Sequence, residues 1–512
     1  MTRSASTVVG IVGTGAMGRG IAQIAAQAGC RVLLLDARDG AAAEAKAMLL
    51  KQWDKLVEKG RLGVDAAAAA SARLEVVADA GALAAADLVV EAIVEQLDAK
   101  RALFKQLDDI VRADCVLATN TSSLSVTAIA AGTARPERVA GFHFFNPVPL
   151  MKVVEVVAGA LTAPAALDLL GTLAAEWGHT PVRAQDTPGF IVNHAGRGYV
   201  TEALAMLREG VAEVATIDAI LRDAAGFKLG PFELLDLTGL DVSQPVMEAI
   251  YRQYYDDPRY RPSPIAAQRL AAGLLGRKSG RGFYRYDDAS GRLAGALHEA
   301  PNPQAPATTA APWAGPVWVC AAQPDAADAA RALLHKLGAT LEHGARPSEA
   351  ALIVVTPLGT DVSAYVAGEG LDALRTVGLD TLLPLARRRT LMRSPATDPV
   401  LAAQAQALFS ADGVPASLIT DSVGFVAQRV LATIVNIGCE IVQQGVCSPV
   451  DLDRAVELGL GYPLGPLAWG EALGAGRVLA ILRALQARTG DMRYRPSLWL
   501  VRRVELGLPL RA

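Results

Sequence analysis

The sequence predicts an α/β domain followed by an all-α domain, with a degenerate second α/β plus helical copy at the C-terminus. Three observations support this fold class: short apolar runs alternate with alanine-rich stretches, a Pro-Gly pair at Pro188 ends that alternation, and two early segments recur near the C-terminus. The chain has 512 residues, whereas single cores stop growing at about 250–300 residues. Because 52% of the residues are hydrophobic, we expect several domains, each with its own core.

The alternation from Val8 to about Asp186 is typical of βαβ units and a parallel sheet. Beyond Pro188 no further strand is expected among the helices, and the chain becomes helical. The predicted strands are Val8–Val12, Arg31–Leu35, Leu88–Ile93, Val116–Ala118, Val139–His143 and Val153–Val157, and the predicted helices are Val192–Arg208, Glu213–Ala225 and Leu240–Tyr254.

A proline-rich segment separates the two halves of the chain. Residues Ala300 to Pro316 contain five prolines and no charge, a composition typical of a semi-rigid linker. After it, Val317–Cys320 and Leu352–Thr356 are predicted strands of a second α/β region. The expected boundaries are 1–186 for the first α/β domain, 187–288 for the helical domain, 289–316 for the linker, 317–415 for the degenerate α/β region and 416–512 for the second helical copy.

The C-terminal segment repeats an earlier one. DTPGFIVN (186–193) matches DSVGFVAQ (421–428), and FKLGPFELLDLTGLD (227–241) resembles GYPLGPLAWGEALGA (461–475). Two matches in the same order and at similar separation favour duplication over chance. The second copy has Gln428 where the first has Asn193, and it has no GxGxxG, so we expect it to be degenerate.

Charge and cysteine content exclude several classes of partner. The net charge is -3, whereas proteins that coat nucleic acid or an anionic membrane usually carry a basic excess. The five cysteines show no CxxC spacing, so neither a metal site nor a disulfide framework is expected. The apolar stretch at the N-terminus is too short to span a membrane. We therefore expect a cytoplasmic protein that binds neither nucleic acid nor membrane.

A dinucleotide-binding motif follows the first strand. Gly13, Gly15 and Gly18 form GxGxxG, in which the first glycine permits a tight turn, the second admits a pyrophosphate and the third allows close packing of helix and strand. Asp36 ends the next strand, where a carboxylate accepts hydrogen bonds from the adenosine ribose. This context predicts a Rossmann-type domain that binds NAD. Arg38 keeps NADP open, because an arginine can accommodate the additional phosphate.

Two segments at the ends of neighbouring strands carry candidate catalytic groups. Ser122 and His143 lie in such segments, which border one crevice in a parallel sheet. Oxidation of a secondary alcohol with NAD needs a base for the hydroxyl proton, and histidine suits this task. Glu155 is a candidate to orient the imidazole and to stabilise its cation. Taken alone, a histidine in the position of His143 is more commonly one packed between aromatic side chains.

These residues occur in segments that resemble a known family. TNTSSL, HFFNPVPLMKVVEV, DTPGFIVN and GPFELLD are similar to the signature segments of L-3-hydroxyacyl-CoA dehydrogenases, from Val8 to about Tyr286. The resemblance implies reversible oxidation of L-3-hydroxyacyl-CoA to 3-oxoacyl-CoA with NAD. The tandem arrangement is similar to bacterial 3-hydroxybutyryl-CoA and 3-hydroxyadipyl-CoA dehydrogenases. Fatty acid or phenylacetate degradation is the expected context.

The resemblance also implies roles for individual residues. His143 becomes the general base and Glu155 the group that orients it. Ser122 is expected to bind the C3 oxygen of the substrate, and Asn193 the acyl-CoA near the reacting carbon. The residues implied to contact NAD are Glu95, Lys100, Asn146 and Lys278, and Lys59 is implied to meet the phosphates of coenzyme A. Without the family, the three lysines are interpreted as solvated surface charges.

The sequence departs from the family pattern after Asn193. His194 stands where the family usually has an arginine, and it is expected to be a surface or capping residue. Gly196 and Gly198 weaken the start of the following helix by up to about 1 kcal/mol each. In the second copy, the arginine cluster at Arg387–Arg389 and Arg393 is interpreted as a solvated face; coenzyme A phosphates or an acyl carboxylate are the alternative ligands.

Two other functions are compatible with this fold. One is a dehydrogenase that acts on a hydroxy acid or sugar acid without coenzyme A, and the other is an inactive structural or binding relative. The intact set of Ser122, His143, Glu155 and Asn193 favours an active enzyme. The resemblance implies a dimer interface on the helical domain of single-copy relatives, and the second copy is expected to fill that place internally. Both a monomer and a homodimer are therefore compatible with the sequence.

Overall fold

The computed structural model describes residues 3–287, 293–297 and 310–512. The chain forms two compact units: Met1–His194 with Gln444–Leu460 is the first unit, and Ala195–Gln443 with Gly461–Ala512 is the second. The predicted linker lies largely outside the described residues. No helix in the described part of the chain is long and apolar enough to cross a membrane.

An eight-stranded sheet forms the centre of the first unit, in the order β3-β2-β1-β4-β5-β6-β7-β8. Its first six strands are parallel, β7 is antiparallel to β6, and β8 is parallel to β7. The strands are β1 (Val8–Val12), β2 (Arg31–Leu35), β3 (Leu74–Val76), β4 (Leu88–Glu91), β5 (Val116–Thr119), β6 (Val139–Phe144), β7 (Val153–Ala158) and β8 (Thr180–Gln185).

The six predicted strands of this sheet are all present, and two more were missed. Strand β3 has three residues, of which two are exposed, and β8 contains Pro181 and alternates in burial, so neither contains an apolar run. Helices flank the strands, and the apolar residues of the first three helices and of the sixth form one core with the sheet. They are α1 (Ala16–Ala28), α2 (Ala41–Glu58), α3 (Val64–Ala72), α4 (Leu97–Ile110), α5 (Val126–Ala130), α6 (Pro164–Glu176) and α7 (Val192–Ala195).

The second unit begins with the predicted helical region. The helix expected over Val192–Arg208 is broken at Gly196 into two. A short hairpin that the sequence analysis did not predict closes the region, because the Asp236 carboxylate binds the backbone N–H groups of Phe283 and Tyr284. The elements are α8 (Arg197–Arg208), α9 (Val214–Asp223), α10 (Pro231–Thr238), α11 (Leu240–Gln253), α12 (Pro264–Ala271), β9 (Tyr284–Tyr286) and β10 (Leu293–Ala296).

A six-stranded sheet follows, in the order β12-β11-β13-β14-β15-β16. As in the first sheet, its last strands combine an antiparallel pair with a final parallel one. The elements are β11 (Val317–Val319), α13 (Pro324–Lys336), β12 (Leu341–Glu342), β13 (Leu352–Val355), α14 (Val362–Glu369), β14 (Thr376–Leu379), β15 (Arg389–Arg393), α15 (Pro399–Leu408) and β16 (Ala416–Thr420).

The interpretation of the arginine cluster as a solvated face is wrong for Arg389. This residue begins β15 and is buried, and its guanidinium binds both oxygens of Asp412 at 2.7 and 2.8 Å and the Phe409 carbonyl. Arg388 is half-buried and pairs with Asp223 at 2.8 Å. A charge run does not reveal such pairing, because the carboxylates lie far away in sequence.

The remaining helices come from the second copy. All but one of them belong to the second unit; α17 belongs to the first. They are α16 (Val426–Gln443), α17 (Pro449–Leu460), α18 (Pro466–Leu473), α19 (Ala475–Thr489) and α20 (Leu498–Leu506).

Within the second unit, the corresponding helices α8 and α16 of the two copies pack against each other. A Cβ at Gly198 would lie 3.2 Å from the backbone of Ile434, so this glycine permits the close approach. Next to this contact, the Arg429 guanidinium binds Glu202 Oε1 at 2.8 Å and Glu209 Oε2 at 2.6 Å. Arg429 and Glu202 are both buried.

We expect Arg429→Met to lower the free energy of unfolding by about 3–5 kcal/mol, because it leaves the buried Glu202 carboxylate without its main counter-charge. Urea titration followed by circular dichroism measures this loss. Arg252→Met is the control, because Arg252 forms an exposed ion pair with Glu248. The double variant Arg429→Met/Glu202→Met should recover much of the loss. A single variant as stable as the control would contradict the assigned role of Arg429.

Candidate active site

The loop between β1 and α1 has the geometry of a dinucleotide-binding turn. Gly13 has φ +90° and donates its N–H to Leu35 O at 2.9 Å, and a Cβ there would lie 2.6 Å from Ala92 O. A Cβ at Gly18 would lie 1.8 Å from Gly13 O, so helix and loop are in close contact. A Cβ at Gly15 would meet nothing within 4 Å. Gly15 therefore faces open space at the N-terminus of α1, where a diphosphate is favoured.

Asp36 lies beside this loop, directly after β2. Its Oδ2 accepts hydrogen bonds from Thr14 N and Oγ1, both at 2.7 Å, and its Oδ1 accepts one from Arg38 N. Burial raises the pKa of Asp36, but these hydrogen bonds outweigh it, so the pKa is lowered and the carboxylate stays ionised. The Arg38 guanidinium pairs with Glu44 at 2.6 Å. An ionised Asp36 and an engaged Arg38 fit the ribose of NAD better than the phosphate of NADP.

Lys100 is a buried charged residue, whereas the sequence without the family resemblance predicts a solvated surface lysine. It is 1% exposed, and its Nζ lies 2.6 Å from Glu91 Oε1 and 3.2 Å from Glu95 Oε2. Glu91 is buried at the end of β4 and also accepts a hydrogen bond from Thr119 Oγ1 at 2.7 Å. Glu91 was not among the predicted site residues, although a carboxylate at the end of an apolar strand is a signal that could have found it.

Glu95 joins this charge network to the loop that carries Ser122. Its Oε1 accepts hydrogen bonds from Thr121 Oγ1 at 2.6 Å, Ser122 N at 2.9 Å and Ser123 N at 3.1 Å. Burial raises the pKa of Glu95, but Lys100 and these hydrogen bonds outweigh it and lower the pKa. An ionised carboxylate therefore holds the loop.

His143 and Glu155 form a buried pair in the centre of the site. They are partners in the antiparallel register of β6 and β7, and His143 Nδ1 lies 2.5 Å from Glu155 Oε2. Glu155 Oε1 accepts hydrogen bonds from Ile191 N at 2.9 Å and Val192 N at 2.8 Å. A carboxylate that accepts these bonds makes Nδ1 the protonated nitrogen, which leaves Nε2 available to take a proton.

Ser122 and Asn193 lie in the same part of the first unit. Asn193 Nδ2 donates to the Ser122 carbonyl at 3.4 Å, and both residues are half-buried. Asn120, two residues before Ser122, accepts a hydrogen bond from Phe144 N at 2.8 Å, which connects the loop to the end of β6. The structure thus brings together the four predicted catalytic residues.

Three other predicted ligand residues lie at exposed positions. Lys59 directly follows α2, and Asn146 lies two residues after β6. Lys278 belongs to the second unit, where it pairs with the Asp241 carboxylate. Their contacts with NAD or coenzyme A stay predictions.

The expectation that His194 is a surface or capping residue is wrong. His194 is buried, and its backbone N–H donates to Gly189 O at 3.1 Å. It lies in the short helix α7, whose first residues hold Glu155. Burial of this helix, which the sequence pattern does not reveal, removes His194 from solvent.

The second copy has no equivalent of the His143–Glu155 pair. In the first sheet, Glu155 pairs with Val182, which lies four residues before Asp186. In the second sheet, Thr390 pairs with Ser417, which lies four residues before Asp421. Thr390 therefore corresponds to Glu155. Asp380 binds Thr390 through its backbone N–H at 3.0 Å and thus takes the place of His143.

Gln428 fills the corresponding space in the second copy. Its amide donates to Asp380 Oδ1 and to the Pro357 carbonyl, both at 3.0 Å, and accepts from Gly359 N at 2.8 Å. In the second copy, Gln428 therefore binds Asp380 and two backbone groups at the position where the first copy has its candidate catalytic residues.

Comparisons with known proteins agree with a complete first copy and a second copy that is recognisable only in its helical part. The model of the 3-hydroxyacyl-CoA dehydrogenase NAD-binding domain matches residues 8–187, and that of the C-terminal domain matches residues 189–286 and again 424–512. The chain belongs to the 3-hydroxyacyl-CoA dehydrogenase family. The predicted family, fold class and NAD cofactor are thereby confirmed, and NAD-dependent oxidation of a 3-hydroxyacyl-CoA is its reaction.

Individual relatives match either nearly the whole chain or about half of it. A 3-hydroxyadipyl-CoA dehydrogenase of Escherichia coli K12 is 37% identical over 503 residues, which is 97% of both chains. The crystal structure of a 3-hydroxybutyryl-CoA dehydrogenase from Escherichia coli K12 is 36% identical, with a TM-score of 0.83 and 98% of both chains covered. A 3-hydroxybutyryl-CoA dehydrogenase of Clostridioides difficile is 39% identical and covers 54% of this chain, but 98% of its own length is matched.

Proposed function

We propose that the first unit oxidises the 3-hydroxyl group of an L-3-hydroxyacyl-CoA, with His143 as the general base. The observation that supports this most strongly is the contact of 2.5 Å between His143 Nδ1 and Glu155 Oε2, both buried. A histidine that is merely packed between aromatic rings needs no such carboxylate. The rings of Phe145 and Phe190 do lie beside His143, at 4.4 and 5.8 Å between centroids. They exclude water from the base.

In the proposed mechanism His143 Nε2 removes the hydroxyl proton, and Glu155 stabilises the imidazolium that forms. Bound NAD would supply the acceptor for the hydride that leaves the same carbon. Because Glu155 Oε1 is held by two backbone N–H groups, the carboxylate does not rotate during proton transfer. In the reverse direction the imidazolium returns the proton to the oxygen of the 3-oxoacyl-CoA.

We further propose that Ser122 and Asn193 bind the reacting end of the substrate. The Ser122 hydroxyl is 3.4 Å from Glu95 Oε1, a long contact that leaves it available to the C3 oxygen. Gly13, Gly15, Gly18 and Asp36 would hold the adenosine diphosphate part of NAD.

The other implied NAD ligands fall into two groups. Glu95, Asn146 and Lys278 remain proposed contacts, as Lys59 does for coenzyme A. Lys100 is proposed to act through Glu95, because it is buried against that carboxylate and against Glu91.

For the acyl chain we propose that a dicarboxylyl substrate of the 3-hydroxyadipyl-CoA type is accepted along with short chains. The supporting observation is the match over 97% of both chains to a relative with that name. The role in fatty acid or phenylacetate degradation, the domain boundaries given above, the cytoplasmic location, and the choice of monomer or homodimer stay predictions.

Steady-state kinetics across acyl-CoA substrates test this proposal. Acetoacetyl-CoA, a long 3-oxoacyl-CoA and 3-oxoadipyl-CoA are reduced with NADH and, separately, with NADPH, and absorbance at 340 nm is followed. We expect kcat/KM with NADH to exceed that with NADPH by at least about 10-fold, because Asp36 is ionised and would repel the additional phosphate. The matched control is free 3-oxoadipate, which should not turn over. No turnover of 3-oxoadipyl-CoA would contradict the proposed substrate. Equal kcat/KM values with NADH and NADPH would contradict the proposed role of Asp36.

A further inference from the structure

The second copy contributes a segment to the unit that contains the catalytic pair. Residues Gln444–Leu460 lie between the two repeated segments of that copy, yet they belong to the first unit. The segment contains α17, which packs against β7 and β8. We call Gln444–Leu460 the crossing segment.

The crossing segment extends the edge of the first sheet. Gln185, the last residue of β8, donates its N–H to Val446 O at 2.8 Å. The second sheet has the same feature, because Thr420 at the end of β16 donates to Val211 O at 3.0 Å. Val446 follows Gln428 at the same distance in sequence as Val211 follows Asn193. Each helical copy thus accepts one backbone hydrogen bond from the last strand of the other copy's sheet, which indicates a built feature of the duplication.

The crossing segment also contacts the residues that hold Glu155. A Cβ at Gly459 would lie 3.0 Å from Val192 Cγ2 and 3.3 Å from Val153 Cγ1. Val192 is the residue whose N–H binds Glu155 Oε1, and Val153 lies on the strand of Glu155. The backbone of α17 is therefore in contact with the support of the catalytic carboxylate. Cys447 lies in the crossing segment, and burial raises the pKa of its thiol. The carboxylates of Asp451, Glu155 and Asp453 raise this pKa further.

We propose that the crossing segment is a positioning element for the His143–Glu155 pair, and that contact of Gly459 with Val192 sets the position of the Glu155 carboxylate. The proposal rests on the proposed function of the pair. The second copy would then take part in catalysis through the contacts of the crossing segment. A displacement of the pair by a few tenths of an ångström is enough to slow proton transfer, because the near-attack geometry is narrow.

Gly459→Ala in the full-length chain tests this proposal. The added methyl group displaces Val192, so we expect kcat to fall about tenfold while KM for NAD stays unchanged. The acid limb of the pH profile of kcat for alcohol oxidation should move to lower pH, because the imidazolium loses part of its carboxylate support. A purely structural role would lower stability and leave this limb in place.

Two further variants make the result specific. Gly171→Ala is the matched control: it lies in α6 of the same unit, a Cβ there meets nothing within 4 Å, and kcat should not change. Gly459→Ala/Val192→Ala removes the colliding methyl groups but keeps the Val192 N–H, so kcat should return to within about threefold of the original. A folded Gly459→Ala protein with normal kcat, or with a lowered kcat that the second substitution does not restore, would overturn the proposal.

A further measurement covers the case in which Gly459→Ala does not fold. Val192→Ala alone loosens the contact from the other side, so the amides of Ile191 and Val192 should exchange hydrogen faster and kcat should fall. Unchanged exchange and unchanged kcat would overturn the proposal. If His143→Ala abolishes turnover while the Gly459 variants behave normally, the proposed function stands and only the positioning role fails.

Discussion

Replacing His143 with alanine is expected to lower kcat by at least about 10²-fold, the smaller loss that follows removal of a positioned general base. The expectation follows from geometry: His143 is 4% exposed, its Nδ1 is engaged by Glu155, and only Nε2 is left to accept a proton. Steady-state kinetics in the oxidative direction measure the loss. The affinity for NADH, measured by fluorescence titration, should not change, because the loop at Gly15 and the side chain of Asp36 are separate from His143 in sequence and in hydrogen bonding.

His335→Ala is the control for this substitution. His335 is exposed on α13 of the second unit, so its loss should leave kcat unchanged. Turnover of the His143 variant within a few-fold of the control would remove His143 from the mechanism. A simultaneous loss of NADH binding would instead indicate that the variant has damaged the fold of the first unit.

The sheet of the first unit could be predicted largely from its apolar runs. β1 and β2 are buried parallel strands that consist almost entirely of aliphatic residues, so their ends coincide with the ends of the runs. β8 was missed because a strand at the edge of a sheet alternates in burial and tolerates Pro181. The hairpin at β9 was missed because the partner that holds it, Asp236, lies in another element.

The candidate site was predictable in its residues but not in its support. The pair His143 and Glu155 follows from adjacent strands and the family resemblance, whereas Lys100 was interpreted as a surface charge. A lysine is buried only when carboxylates compensate it, and Glu91 was hidden at the end of an apolar run. Ion pairs between residues in different elements depend on the fold, and the local sequence pattern does not predict them. The same reason explains the error on Arg389, whose partner is Asp412.

The second copy keeps the packing of the first copy but not its candidate catalytic side chains. Asp380 and Thr390 lie at the register positions of His143 and Glu155. Gln428, which aligns with Asn193, binds Asp380 Oδ1 and Gly359 N. The helices of this copy kept their packing role, as the contact of Gly198 with Ile434 indicates.

Replacing Glu155 with glutamine is expected to lower kcat by about 10²–10⁴-fold, although the side chain keeps its size. Glu155 accepts bonds from three donors: His143 Nδ1–H and the N–H groups of Ile191 and Val192. A glutamine has one acceptor oxygen and one NH₂ group. Because two backbone donors face one side, its oxygen should turn to them and its NH₂ group to His143. Nδ1 then becomes the acceptor, the proton moves to Nε2, and the imidazole is no longer a base toward the substrate.

This tautomer change can be observed separately from activity, by ¹⁵N chemical shifts of the imidazole nitrogens in protein labelled at histidine. Glu75→Gln is the control, because Glu75 is an exposed partner of Arg31 and the same substitution there should alter neither kcat nor these shifts. If Glu155→Gln loses activity while Nδ1 of His143 stays protonated, the carboxylate acts through its charge on the imidazolium and not through the tautomer. Full activity in the variant would mean that the buried contact between His143 and Glu155 has no part in proton transfer. The two readings of Glu155, as an orienting group and as a stabilising charge, thus give different spectra for the same loss of rate.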